Sequence, residues 1–254
     1  MRGLEIFRER FSGNADQYVL IGGAACDVIM EEAGLGFRAT KDLDIVILAK
    51  ALDADFGKRF WGFVEEGGYE QRERCSGRKE FYRFQKPKNP DFPAMLEIFS
   101  RAPDTIAVSD KSVLTPLPID EDIASLSAIL LDETYYKALT ANRRVVDGVA
   151  VLDERLLIPF KAKAHLDLTA RREAGEEIDS KTVRKHRSDV FRLLQLLPGR
   201  ERVELSEEVA ADLSAFANKV ESDGDFVPKD LGLRGDLASQ LSNLRAIYGL
   251  RASS

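Results

Sequence analysis

Histidine and cysteine are both scarce, with two of each in 254 residues. Cys26 and Cys75 are too few and too far apart for a disulfide framework or a zinc cluster. With so few imidazoles beside them, a zinc enzyme is not expected. No uninterrupted apolar run approaches the roughly 20 residues that cross a bilayer, and the opening Met1-Arg2-Gly3-Leu4-Glu5 has no signal-peptide core, so the expectation is a cytoplasmic protein with no membrane partner. Positive charge is not in excess either: a net charge of −6 argues against coating nucleic acid by bulk attraction, while leaving room for a local basic groove. No repeat or low-complexity segment is evident. What remains, 44% hydrophobic and 31% charged, is the composition of a soluble globular protein, long enough for one large domain or two smaller ones.

The stretch on which the chain is organised is Tyr18-Val19-Leu20-Ile21-Gly22-Gly23, followed after 18 intervening residues by Asp42-Leu43-Asp44-Ile45-Val46-Ile47. In a strand, alternate side chains share a face, so Asp42 and Asp44 point one way and Leu43, Ile45 and Ile47 the other. At the rise of a strand, the two carboxylates stand about 6–7 Å apart at their bases. Two divalent ions in a phosphoryl-transfer site lie about 3.5–4 Å apart, a spacing on which such carboxylates can converge. Gly22 and Gly23 fall where a buried strand turns into a helix. Without Cβ atoms they let backbone N–H groups approach a phosphate, and the helix N-terminus favours the anion. Each piece alone is commonly structural: a tight turn, an acidic strand end. Their ordered combination frames a metal-phosphate site.

In chain order, residues 5–12 predict a short helix, 17–22 a strand, 24–34 a helix and 42–48 a strand. Phe56, Phe60, Phe63 and Val64 are spaced for an amphipathic helix over 53–66. Strands are expected at 69–75, 79–86 and 94–99, divided by Ser76-Gly77 and by the turn around Pro87 and Pro90. Between 71 and 88, seven basic residues (Arg72, Arg74, Arg78, Lys79, Arg83, Lys86, Lys88) outnumber Glu73 and Glu80 and alternate with Phe81, Tyr82 and Phe84. That mixture suits a nucleic-acid backbone and a stacked base, or equally a solvated hairpin whose aromatics face the core. Met95-Leu96-Glu97-Ile98-Phe99 buries a single acid, which is costly unless paired or metal-bound. Beside 42–48, Glu97 would be a third carboxylate, as metal ligand or as the base for an attacking hydroxyl; otherwise it pairs with Arg101 or another base.

Residues 100–152 are less legible: 123–131 fits a strand or a buried helix, 132–142 a short helix and 149–152 a last strand. From 153 the pattern is helical, over 154–173, 180–197, 206–221 and 236–248. Lys161 and His165, and Lys163 and Asp167, are four apart and share helix faces. Lys181, Arg184, Lys185, Arg187 and Arg192 outnumber Asp189 on the following helix, a basic face for a triphosphate or polynucleotide or simply a wet surface. His165 and His186 are expected as surface or phosphate-contacting residues rather than metal ligands.

Gly22-Gly23 followed by Lys41-Asp42-Leu43-Asp44 resembles the signature of the nucleotidyltransferase superfamily, related in fold to DNA polymerase beta. The run Leu157-Ile158-Pro159-Phe160-Lys161-Ala162-Lys163-Ala164-His165-Leu166-Asp167-Leu168, with Ile178-Asp179-Ser180-Lys181 and Lys185-His186-Arg187-Ser188-Asp189, resembles the abortive-infection AbiEii/AbiGii-type toxin nucleotidyltransferases. The similarity runs from about residue 17 to 197.

That resemblance implies an α+β protein: a mixed-sheet catalytic domain over 1–152 and an all-helical domain over 153–254. It implies that Asp42 and Asp44 hold magnesium or manganese, joined on the strand reading above by Glu97, that Gly22 and Gly23 line the triphosphate turn, and that Lys161 contacts nucleotide phosphates. Asp189 falls at the family's late helical aspartate, and Lys41, Lys163 and Lys185 are further nucleotide contacts. Many members have Gly-Ser in place of Gly22-Gly23, which leaves phosphate to backbone amides and basic side chains here; many also carry Arg-Asp in place of Lys185-His186. The implied activity is transfer of a nucleoside monophosphate from a nucleoside triphosphate to RNA or tRNA, as a type IV toxin with a cognate antitoxin. The alternatives are transfer to a small molecule such as an aminoglycoside, or a non-catalytic RNA- or protein-binding module.

Overall fold

Four consecutive apolar residues, Tyr18–Ile21, form β1 and are buried throughout, as a strand in the middle of a covered sheet must be. The structure, a computed structural model, describes residues 1–48, 54–71, 81–100, 129–130 and 132–250. Around β1 run α1 (Leu4–Phe11), α2 (Gly22–Glu32), β2 (Asp42–Ile47), α3 (Ala54–Gly67), β3 (Glu70–Gln71), β4 (Phe81–Gln85) and β5 (Met95–Ser100). After them come α4 (Glu133–Ala141), β6 (Arg143–Val146), β7 (Val149–Leu152), α5 (Glu154–Glu173), α6 (Ser180–Leu194), α7 (Glu207–Asp223) and α8 (Leu237–Tyr248). The class is α+β, a mixed sheet followed by helices.

Two compact units divide the chain: Met1–Leu130 with Thr140–Leu152, and Leu131–Leu139 with Asp153–Ser254. The first holds a seven-stranded sheet in the order β3-β4-β5-β2-β1-β7-β6. β1 is antiparallel to β2 and parallel to β7, β2 is parallel to β5, and β4 is antiparallel to β5. The aromatic stripe expected in α3 meets α1 and β1 in one cluster: Phe7 stacks on Phe11 at 4.6 Å between centroids, and Phe63 lies edge-on to Phe7 at 5.8 Å and tilted over Phe92 at 4.9 Å. Such aromatic pairs add about 0.5–1.5 kcal/mol each beyond the area they bury.

Strand β6 was not expected from the sequence. Asp147 and Gly148 both take positive φ, 47° and 79°, the pair of left-handed residues that a two-residue type I′ hairpin needs between β6 and β7. The predicted helix at 24–34 begins two residues earlier, at Gly22, so both glycines lie in its first turn. The predicted helix at 180–197 ends at Leu194. Most of 123–131, the Ser76-Gly77 turn and the neighbouring parts of the predicted strands at 69–75 and 79–86 lie outside the described residues.

The second unit packs α4 and α5–α8 around Phe160, Phe191, Phe216 and Phe226, all buried. Its helices start on side-chain caps: Asp153 accepts from Arg155 N at 2.8 Å, Asp179 from Lys181 N at 2.9 Å and Asp236 from Ser239 N at 2.8 Å. Pro159 sits inside α5 and cannot donate to the carbonyl four residues back. That carbonyl, of Arg155, instead accepts from the Tyr248 hydroxyl at 2.8 Å, so α8 satisfies the group that proline releases.

Candidate active site

Strand register decides what faces what on the sheet. Because β2 and β5 are parallel neighbours, Asp44 stands opposite Glu97 and Asp42 opposite Met95. Because β4 runs antiparallel on the far side of β5, Arg83 stands opposite Glu97. Residues opposite each other across strands share a face, so Arg83, Glu97 and Asp44 form a row with Asp42 two residues along β2. Asp44 and Glu97 are buried, and Asp42 is half-buried. Glu97 pairs with a base, as the structural alternative allowed, and that base is Arg83: Nε donates to Oε1 at 2.9 Å and Nη2 donates to the same oxygen; Arg101 lies outside the described residues.

The row extends one strand further, and there the glycines enter. Ile21, the last residue of β1, is the partner of Asp44. The chain turns immediately after it into α2, so Gly22 lies against the Asp44 carboxylate. A β-carbon on Gly22 would sit inside the van der Waals radius of Asp44 Oδ2, and Gly22 has φ +69°. At Gly23 a β-carbon would come within 2.5 Å of the Thr40 hydroxyl, with an Arg38 guanidinium nitrogen at 3.6 Å. No side chain from the N-cap residue closes the start of α2. The first-turn N–H groups, the positive end of the helix dipole, thus adjoin a carboxylate on one side and a hydroxyl and a guanidinium on the other.

Burial pushes the Glu97 carboxyl above its ordinary range; Arg83 opposes this, and the charge of Asp42 adds to it. Oε2 of Glu97 is buried and makes no hydrogen bond. A hydrogen bond between Glu97 and the neighbouring Asp44, which would lower the Glu97 carboxyl, forms only if one of the two carries a proton. Asp42 and Asp44 are hard oxygen donors of the kind magnesium takes. Among the described residues no group of three or more His, Cys, Asp and Glu side chains is placed to hold a metal ion. The donor set nevertheless fits magnesium, which is commonly held by one or two carboxylates with water and substrate phosphate completing its shell. Glu97 Oε1 is already engaged by Arg83.

The remaining sequence-predicted residues fall in different places. Lys41 is exposed just before β2. Lys161 on α5 and Asp189 on α6 come together as an ion pair, Nζ to Oδ2 at 3.1 Å, with side chains 1% and 0% exposed. A phosphate contact by Lys161 requires it to leave that pair. Lys163 reaches Asp167 at 3.2 Å and Asp212 at 3.4 Å; burial works against its charge, but the two carboxylates outweigh it and raise its affinity for the proton. Lys185 is exposed on α6.

Both histidines, expected as surface or phosphate-contacting residues, are buried. His165 Nδ1 lies 3.1 Å from the Val183 carbonyl and its ring meets Phe216 edge-on, so helix packing rather than solvent surrounds it.

Of the basic hairpin, Arg83 is committed to Glu97 and Lys86 lies 3.2 Å from Glu70. Phe84 faces the core against Phe60 and Trp61. Arg72, Arg74, Arg78 and Lys79, and the side chains of Phe81 and Tyr82, lie outside the described residues. Thr40, Arg38 and the pairing role of Arg83 were not singled out from the sequence. The available signals were the placement of Thr40 and Arg38 just before the acid pair, and the alternation that puts Arg83 on the face opposite Phe84.

No protein-family model matches the chain, and no curated protein does. Among solved structures, it is similar to an antigenic nucleotidyltransferase-like protein from Paracoccidioides brasiliensis, at 17% identity and a TM-score of 0.45 over 98% of this chain and 99% of that one. A likeness at that level bears no functional weight. No helix among the described residues is long and apolar enough to cross a membrane.

Proposed function

We propose that this protein is a magnesium-dependent nucleotidyltransferase that moves a nucleoside monophosphate from a nucleoside triphosphate to an RNA acceptor such as tRNA. The observation that carries it is the contact of Gly22 with Asp44. A helix N-terminus opened by glycine attracts phosphate, whereas a carboxylate touching that same turn repels it. The two are compatible when a divalent cation lies between them. A phosphate and a metal are therefore the natural joint occupants.

In this reading Asp42 and Asp44 hold the ion, and the first-turn amides at Gly22 and Gly23 receive triphosphate oxygens, with Thr40 and Arg38 alongside. Magnesium bound there would neutralise charge on the transferring phosphate. The acceptor hydroxyl oxygen bonds to the α-phosphorus, the bond from that phosphorus to the bridging oxygen of the β-phosphate breaks, and pyrophosphate leaves. Glu97, whose carboxyl burial makes more basic, takes the hydroxyl proton. Lys41, exposed just before β2 and next to the acid pair in sequence, is the further nucleotide contact in this reading. Membership of the AbiEii/AbiGii-type toxins, and a type IV role with a cognate antitoxin, belong to the same proposal and rest on the motif resemblance alone.

The test is incorporation of label from α-labelled nucleoside triphosphates into total tRNA, other RNA or protein, with magnesium and with a chelator. Incorporation should require the ion and fall to background in Asp42→Ala/Asp44→Ala protein. Equal incorporation by that variant would sink the mechanism. Label appearing on an aminoglycoside but on no RNA would move the acceptor to the small-molecule class. An adjacent open reading frame whose product relieves growth arrest by this protein would support the toxin role.

A further inference from the structure

Glu97 is gripped in an uneven way. Arg83 places two donors, Nε and Nη2, on one oxygen, Oε1, and the other oxygen is buried with no hydrogen bond. An arginine that only neutralises a carboxylate commonly meets both oxygens with a parallel fork. Here the fork closes on a single oxygen. A buried acceptor left without a donor is costly and asks for an explanation. Glu97 stands on β5 between Arg83 on β4 and Asp44 on β2, so the anchored oxygen belongs to the Arg83 side and the other remains for the carboxylate side of the row.

We propose that Arg83 is the positioning residue for Glu97: by clamping Oε1 it fixes the carboxylate so that Oε2 is presented to the reacting hydroxyl. This rests on the transfer reaction proposed above and adds a residue to it. Arg83 touches neither nucleotide nor acceptor, and it acts through Glu97. The clamp needs a planar guanidinium, because a lysine ammonium is a single point of charge on a flexible stem and cannot set the carboxylate plane with two donors. Both side chains lie within the sheet, with Arg83 9% and Glu97 6% exposed, so solvent does not supply a substitute for either.

The full-length protein is assayed for transfer of α-labelled nucleotide to total RNA, and rates are expressed per folded molecule, with the folded fraction taken from thermal unfolding. Arg83→Lys should lower kcat at least tenfold while leaving the apparent KM for nucleotide within about twofold. In a Glu97→Gln background the same substitution should cause no further fall, since a residue that acts only through Glu97 has nothing left to position. A merely structural arginine behaves otherwise: Arg83→Lys would lower the unfolding midpoint and leave kcat per folded molecule unchanged, which overturns the proposal. A loss that multiplies with that of Glu97→Gln overturns it too. Wild-type protein that transfers no label, or an Asp42→Ala/Asp44→Ala protein that transfers it normally, defeats the parent reading instead. Active wild type, inactive aspartate variant and unimpaired Arg83→Lys defeat this inference alone.

Discussion

Replacing Gly22 with alanine adds one methyl group at the most constrained point of the candidate site. Two costs arise. At φ +69° an L-residue sets its Cβ against its own carbonyl, about 1–2 kcal/mol. The new Cβ also falls on Asp44 Oδ2, with Asp44 Cγ at 2.8 Å and Cβ at 3.2 Å. The nearest obstacle is the carboxylate end of Asp44, with Cγ close behind it, so Asp44 must rotate or β1 and β2 must part, an overpacking cost of about 1–3 kcal/mol. Gly22→Ala should therefore destabilise the protein by about 2–5 kcal/mol in urea unfolding. It should also reduce transfer beyond the folded fraction, because Asp44 has moved. Gly23→Ala is the internal comparison. Its φ is not positive and its obstacle is the rotatable Thr40 hydroxyl at 2.5 Å, so the cost should stay within about 1 kcal/mol, offset by alanine's better helix propensity. In an Asp44→Ala background the steric part of the Gly22→Ala cost should vanish and the φ part persist. If Gly22→Ala is as stable as wild type, or its cost is the same with and without the Asp44 carboxylate, the packing reasoning is refuted.

Asp189→Ala leaves the Lys161 ammonium buried without its carboxylate and should cost about 3–5 kcal/mol, whereas Lys161→Met/Asp189→Leu, which removes both buried charges and costs in addition only the looser contact of Asp189 with the half-buried Arg192 at 3.8 Å, should recover most of that loss. Denaturant curves in which the double variant is as unstable as Asp189→Ala contradict this. His165 is held below its ordinary 6.5 chiefly by burial, so the folded state binds fewer protons than the unfolded state below that value. Stability should be intact above about pH 6.5 and decline as pH falls, by at most about 1.4 kcal/mol per pH unit from this group. His165→Asn should flatten that part of the profile, and an unchanged slope would show that His165 does not set it.

The parts of this arrangement that could be read from the sequence are those governed by a single element's period. Alternation put Asp42 and Asp44 on one face, three-and-four spacing found the aromatic side of α3, and an acid in an otherwise apolar run marked Glu97. What could not be read depends on which element lies beside which. Arg83 looked like one of seven basic residues for a polymer because its partner is set by β4–β5 register, which local pattern does not specify. Lys161 and Asp189 could be placed on their own helices, but helical spacing says nothing of the helix packed across them, and the two charges proved to answer each other. Strand β6 had its signal in Asp147-Gly148, and the polar Arg143-Arg144 before it masked the alternation of an edge strand.

The grouping of carboxylates on one sheet face bears on the metal-phosphate reading separately from the motif. Asp42, Asp44 and Glu97 lie on one face, and Arg83 pairs with Glu97. A buried carboxyl beside another negative charge favours its neutral form unless a cation comes near. The elevated Glu97 carboxyl is the proton-binding answer when no cation is near. A cation bound there would displace that proton and leave Glu97 ionised, the form that the proposed reaction needs for taking a proton from an attacking hydroxyl. The grouped carboxylates would thus couple metal binding to activation of the proposed base. Magnesium affinity that rises with pH in wild type, and does so less steeply in Glu97→Gln, is the expected signature; parallel pH dependences in the two proteins would separate Glu97 from the metal altogether.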